Sequence, residues 1–316
     1  MKPAPSPFGR GFFASRRRQA TALAGVVLAM SQPVFAATET QDSPTLRKID
    51  DNGVVVLGVR ESSVPFSYLD AQQQPVGYSQ AIALRIVGEI RKRLNKPDLA
   101  VKTVPITSAN RMSLVVNHQI DLECGSTAHL RERDQLVAFS NSFFEYGIRM
   151  AVKRKSGIRN YADLAGKTVS TTAGTSDERI LREMSLDKNL DLRIISAQDH
   201  AEGFNAVKTD RAVAFVMDDP LLYGQIAEQG RQRVEYMVTG DSLSHEAYGC
   251  MLRKGDPAFK RLADDVIADM QRSGEAAQLY NKWFTQPIPP KGINLEFPLS
   301  AEMKQLFANP NDRASN

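Results

Sequence analysis

Four polar clusters each follow a short apolar run, and all carry residues that recognise charge: Arg60-Glu61-Ser62-Ser63, Gly125-Ser126-Thr127 with Arg133 beyond it, Ala173-Gly174-Thr175-Ser176, and Asp218-Asp219. Small hydroxyl residues with free backbone N–H groups, followed by a guanidinium, suit a carboxylate gripped in bidentate fashion. Ser126 and Arg133 supply that set; read locally, they also describe a helix cap and a solvated arginine. Thr175 and Ser176 precede Asp177 and Glu178. Such a stretch offers a helix N-terminus to an anion, or is an ordinary cap with acidic residues in the first turn. Asp218 ends an apolar run, so its carboxylate lies at the mouth of a buried strand and needs a cation or several donors. A ligand ammonium would serve; the other reading is a cap for a helix started by Asp219-Pro220. Ser108 and Arg111, three apart, share one helix face, Arg60 ends the first strand, and His200 begins a helix where it can donate to an anion.

Enzyme signatures are missing from the chain. It holds no Gly-x-Ser-x-Gly elbow, no His-Glu-x-x-His pair, no phosphate loop and no dinucleotide glycine fingerprint. With four histidines in all, a metal or triad site has few residues to draw on, and neither metal nor cofactor is expected.

An alternation of strands and helices must position these groups. The apolar run 54–59 reads as a buried strand, residues 66–69 and 76–78 as a hairpin with a polar tip, and Ile82, Ile86, Ile90 and Leu94 as one face of an amphipathic helix. A strand near 100–104, a helix over 108–117 and a strand over 119–123 complete a βαβαβ series. The pattern restarts with strands near 147–153, 168–172, 192–195 and 212–217, a helix begun at 161–164, and helices over 176–184 and 200–208. A strand over 246–252, a helix carrying Leu262, Val266 and Met270, and a proline-rich exit at 287–290 follow. Alternation of this kind predicts α/β architecture with largely parallel sheets, in which ligands bind beyond the carboxyl ends of strands.

Residues 1–36 read as a cleaved export signal, with Arg16-Arg17-Arg18, an apolar stretch over 20–30 and small residues before the cut. That stretch is too short to span a bilayer, which predicts a soluble, exported mature chain. The formal net charge of +4 belongs to the signal, because removing its five basic residues leaves 35 basic against 36 acidic side chains. A nearly neutral mature chain argues against nucleic acid as partner. Cys124 and Cys250 are the only cysteines; in an oxidising compartment they can pair, and spacing alone leaves open whether they do.

The strings RESSVPFSY (60–68), ITSANR (106–111), DLECGST (121–127) with Glu132-Arg133, SAQDH (196–200), RAVAFVMDD (211–219), EAYGCMLRKGDP (246–257) and the FTQPIPPKGINLEF tail (284–297) together resemble the family 3 periplasmic solute-binding proteins, and within them the glutamate/aspartate-binding members of ABC uptake systems. The resemblance implies a two-lobed fold with two crossing strands as hinge, near 144–150 and 236–247. Lobe 1 would be residues 37–146 and 240–316, and lobe 2 residues 147–239. It also implies that Arg133, Ser126, Thr175 and Ser176 grip an α-carboxylate, that Asp218 holds the ammonium, and that Arg60, Ser108, Arg111 and His200 form the side-chain pocket. Three fixed positive charges and one negative charge suit a ligand with two carboxylates and one ammonium. The chain departs from the family pattern at Ala128, where a second threonine is usual, and at Ala81, where an acidic residue is common. The implied partners are a small dicarboxylic amino acid and a membrane permease. The same fold also hosts cyclohexadienyl-dehydratase-like enzymes and sensory modules, and an enzyme would need a general acid such as Glu61 plus a partner that the sequence does not offer.

Overall fold

The computed structural model describes residues 43–316; the signal read over 1–36 and the first residues of the leader lie outside them. Helix α1 (Pro44–Asn52) starts at Ser43, whose hydroxyl accepts from the Leu46 N–H at 3.0 Å and donates to Asp256 at 2.8 Å. The apolar run that follows becomes β1 (Val54–Val59), five of whose six residues are buried. A small antiparallel sheet of β2 (Ser62–Ser63), β3 (Ser67–Leu69) and β4 (Pro75–Val76) contains the hairpin with the polar tip. Helix α2 (Tyr78–Arg93) buries Ile82, Ile86 and Ile90 and places Arg91, Lys92 and Arg93 in its last turn, where they complement the helix dipole. Strands β5 (Ala100–Pro105) and β6 (Leu122–Glu123) flank β1 in parallel, with α3 (Arg111–Val116) between them.

The next strand, β7 (Val137–Lys153), is 17 residues long and links the two halves of a nine-stranded sheet. After it come β8 (Thr168–Thr172), α4 (Ser176–Asp187), β9 (Arg193–Ala197), α5 (His200–Lys208), β10 (Ala214–Asp218), α6 (Asp219–Ala227) and β11 (Tyr236–Thr239). β12 (His245–Arg253), α7 (Pro257–Ser273), α8 (Glu275–Phe284) and α9 (Ala301–Ala308) complete the chain. Strand order is β5-β1-β6-β12-β7-β10-β8-β9, with β11 also on β7. Two parallel trios, β5-β1-β6 and β10-β8-β9, are therefore joined through antiparallel β12 and β7. The first part of β7 pairs with β12, and residues 148–153 pair with β10 and β11.

Several element bounds differ from the sequence reading. The strand expected at 147–153 is the last part of β7; the helix expected from 108 begins at Arg111; the strand expected over 119–123 shrinks to β6; and 161–164 is a single 3-10 turn closed by an Asn160–Asp163 capping box. The core next to the crossing strands is a cluster of rings. Phe144 stacks on Tyr280 and Phe284, Phe66 meets Phe144 and Tyr248 edge-on at 4.8 and 5.0 Å, and Tyr146 stacks on Tyr248 at 4.2 Å. Cys124 and Cys250 form a disulfide, which ties the end of β6 to β12 across 126 positions of sequence. In the loop-entropy account, a closure of that length stabilises by about 4–5 kcal/mol. No helix among the described residues is long and apolar enough to cross a membrane.

Candidate functional site

All nine singled-out residues sit beyond the carboxyl ends of the parallel strands. Arg60 follows β1, Ser108 and Arg111 lie beyond β5, and Ser126 and Arg133 follow β6; Thr175 and Ser176 open α4 after β8, His200 opens α5 after β9, and Asp218 ends β10. Eight of the nine are buried; Thr175 is half-buried. Ser108 occupies the turn before α3 and Arg111 is its first residue, so their proximity comes from the turn and not from a shared helix face.

The guanidinium groups form one cluster. Arg60 Nη2 lies 3.3 Å from His200 Nε2. An arginine only donates, so this nitrogen accepts, which leaves the imidazole proton on Nδ1, 2.9 Å from Thr172 Oγ1. Burial, and then Arg60 and Arg111, hold the His200 pKa well below its ordinary value. His200 is thus a neutral side chain that orients Arg60. Arg111 donates to Ser126 O at 3.0 Å and to Thr127 Oγ1 at 2.6 Å, and Thr127 donates to Glu123 at 2.7 Å. Burial together with Arg133 lowers the Arg111 pKa to about 9, which leaves it charged at neutral pH. Arg133 donates to Ala128 O at 2.9 Å. Glu123 is fully buried, and burial raises its pKa against the opposing pull of Arg111, Thr127, Arg60 and Arg133.

The opposite end of the site is acidic. Asp218 accepts a short hydrogen bond from the Tyr248 phenol. Glu246 accepts from Tyr146 at 2.6 Å and from Ser176 at 2.7 Å. Asp177, in the first turn of α4, is 1% exposed and interacts directly with Asp218. Thr175 caps α4 by accepting from the Glu178 N–H and donates to Thr172 O at 2.8 Å, so both it and Ser176 have their hydroxyls committed. What these two residues leave available is the backbone of a 12-residue helix N-terminus.

Six buried atoms in this region make no hydrogen bond within the protein: Arg60 Nη1, Ser108 Oγ, Ser126 Oγ, Glu123 Oε1, Asp177 Oδ1 and Asp218 Oδ1. Buried polar atoms normally find partners, and each one left unpaired costs about 1–3 kcal/mol. A polar ligand is the simplest group that meets donors and acceptors of both signs together. The elements around the site are in close contact. A side chain at Gly174 would meet Ala109 Cα at 2.8 Å, one at Gly224 would meet Val64 O at 2.1 Å, and Gln225 donates to Ser62 O at 3.2 Å.

Sequence reasoning missed Glu123, Thr172, Asp177, Tyr146, Glu246 and Tyr248, and it placed Thr127 in a polar cluster without giving it a role of its own. For two of them a signal existed. Glu246 and Tyr248 alternate with small residues in a strand, so both project to the face that carries Cys250.

Two parallel trios of strands joined by crossing strands, with charged groups collected beyond their carboxyl ends, define a two-lobed solute-binding protein. The chain belongs to the bacterial extracellular solute-binding proteins, family 3, whose model matches residues 55–286. It is 48% identical to the glutamate/aspartate import solute-binding protein of Escherichia coli, over 95% of this chain and 99% of that one. It is 47% identical to the L-glutamate/L-aspartate-binding protein of Pseudomonas aeruginosa, over 92% and 95%. Among solved structures, an ancestral amino-acid-binding protein described as a precursor of cyclohexadienyl dehydratase aligns with a TM-score of 0.66 at 26% identity, covering 76% of this chain and all of that one.

Proposed function

We propose that the chain captures L-glutamate or L-aspartate in the periplasm, after removal of residues 1–36, and presents it to the membrane permease of an ABC transporter. One observation carries the reading: the site buries a cluster of three guanidinium groups together with Asp218, whose field reaches Arg60, and Arg60, Ser108, Ser126 and Asp218 each keep an atom without a protein partner. In this reading Arg133, Ser126 and the α4 N-terminus at Thr175 and Ser176 hold the α-carboxylate, and Asp218 Oδ1 takes the ammonium. Arg60 and Arg111, with Ser108, hold the side-chain carboxylate, and neutral His200 keeps Arg60 aimed. The names of the relatives, at nearly half identity over almost the whole chain, support the same ligand class and the same delivery role. Lobe 1 is then residues 37–146 and 240–316, lobe 2 residues 147–239, with hinge segments near 144–150 and 236–247 that let the lobes close over ligand.

The protein acts in this reading by binding, without a cofactor and without chemical change to the ligand. Isothermal titration with glutamate, aspartate, glutamine, asparagine and prephenate tests it. Glutamate or aspartate should bind tightly and glutamine at least about a hundredfold more weakly, because an amide leaves desolvated guanidinium groups poorly paired at about 3–5 kcal/mol. Arg111→Ala and Asp218→Ala should each lose binding by a similar factor. Comparable affinity for an amide would overturn the ligand class, and turnover of prephenate would overturn the binding role.

A further inference from the structure

The acidic end of the site holds one carboxyl group more than a single ammonium partner requires. Asp177 and Asp218 come from different elements, the first turn of α4 and the end of β10, yet their side chains interact directly while each is at most 3% exposed. Oδ1 of each receives no hydrogen bond from the protein. The groups that face the pair do not neutralise it. From β12 come Tyr248, which donates to Asp218, and Glu246; from β7 comes Tyr146; Tyr161 lies near Asp177, and Asp219 adds further negative charge beside Tyr248. Arg60 is a cation whose field reaches Asp218.

Two carboxylates in contact inside a low-dielectric site cannot both stay ionised, so the pair holds a shared proton. We propose that Asp177 is a second carboxylate of the ammonium subsite, sharing one proton with Asp218 until a primary ammonium enters, donates to both Oδ1 atoms and displaces that proton to solvent. The step is balanced: the ligand keeps its three N–H protons, the carboxyl O–H bond breaks, and the released proton is taken up by buffer. The proposal rests on the amino-acid reading above. It adds that capture is linked to pH through Asp177. Burial, and then Glu246, raise the Asp177 pKa to about 7, and that of Asp218 is raised well above its ordinary value by burial and by Asp177. Below about pH 7 ligand must expel the proton to bind, so affinity weakens as pH falls; above it the linkage fades.

The experiment is titration calorimetry of the mature protein with glutamate in two buffers of different ionisation enthalpy, near pH 6 and near pH 8. The native protein should release close to one proton per glutamate near pH 6 and bind about tenfold more weakly there than near pH 8. Asp177→Asn, whose amide can donate to Asp218 as the shared proton does, should abolish the release and bring the two affinities together. Glutarate, which has both carboxylates and no ammonium, should bind the native protein without releasing a proton, an arm that needs no variant. No release from the native protein, an unchanged release and pH slope in Asp177→Asn, or release with glutarate would each overturn the proposal. Failure of the native protein to bind any dicarboxylic amino acid at either pH would instead remove the underlying reading, and it would be seen before any variant is made.

Discussion

At the scale of single residues, the site is balanced by charges that the ligand-facing groups do not themselves provide. Glu123 sits under Arg60, Arg111 and Arg133, and Glu246 fixes the Ser176 and Tyr146 hydroxyls. The Asp177–Asp218 pair has a consequence for stability without ligand. Unfolded aspartate loses its proton near pH 4, whereas folded Asp177 keeps one to about pH 7. Folding therefore favours the protonated form: the contribution is complete below about pH 4 and is lost as pH rises to about 7, a difference of up to about 4 kcal/mol. Thermal melts of ligand-free Asp177→Asn should match the native protein near pH 4.5 and lie clearly above it near pH 8; a constant offset at both would place the effect elsewhere. Arg60 and Asp218 were legible because each is a charged residue just past an apolar run, and Arg111 and Arg133 because each is a guanidinium a few residues beyond a small hydroxyl residue. Asp177 was not, since an acidic residue in a first helical turn is the ordinary complement to the helix dipole, and its burial comes from β10 and β12, far away in sequence.

At the scale of elements, most helices and strands were legible from apolar periodicity and caps, and α5 has the bounds read from sequence, His200–Lys208. β7 was read short for a physical reason. Ser140, Asn141 and Ser142 interrupt the apolar run, and two of them bond to partners out of sequence reach: Asp264 accepts from the Asn141 N–H at 2.6 Å, and Ser140 accepts from the Cys250 N–H at 2.8 Å. Pairing between β7 and β12 is also irregular around Gly249, which no local pattern announces. One residue ties the start of the described chain to α7. Asp256 caps α7 by accepting from the Phe259 N–H at 3.0 Å, and it accepts from Ser43 Oγ and the Thr45 N–H at the start of α1. Asp256→Ala removes the cap and strands two buried donors, and should destabilise by about 2–4 kcal/mol in urea unfolding. Amide exchange should rise first in α1. A loss below about 1 kcal/mol would show that water replaces the carboxylate.

At the scale of the whole molecule, the disulfide and the ring cluster hold the β5-β1-β6 side, the crossing strands join it to the β10-β8-β9 side, and the contacts across the site are local. Besides the bonds of the site itself, Arg60 to His200, Ser176 to Glu246 and Tyr248 to Asp218, they include Gly174 against Ala109, Gly224 against Val64 O, and Gln225 to Ser62 O. Gly224 is the sharpest of these, because it lies inside α6, where glycine is otherwise a poor choice. An added methyl would sit 2.1 Å from a backbone carbonyl, which cannot swing aside as a side chain end can. If residues 62–64 and α6 belong to lobes that separate, the methyl clashes only when they are together, and elsewhere alanine gains about 0.5–1 kcal/mol of helix propensity. Gly224→Ala should then leave the ligand-free melting temperature equal or slightly higher, weaken glutamate binding at least about a hundredfold, and abolish the ligand-induced fall in radius of gyration in solution scattering. A large loss of ligand-free stability with binding intact would mean that α6 and residues 62–64 form a permanent interface, and the boundary at 147–239 would have to move.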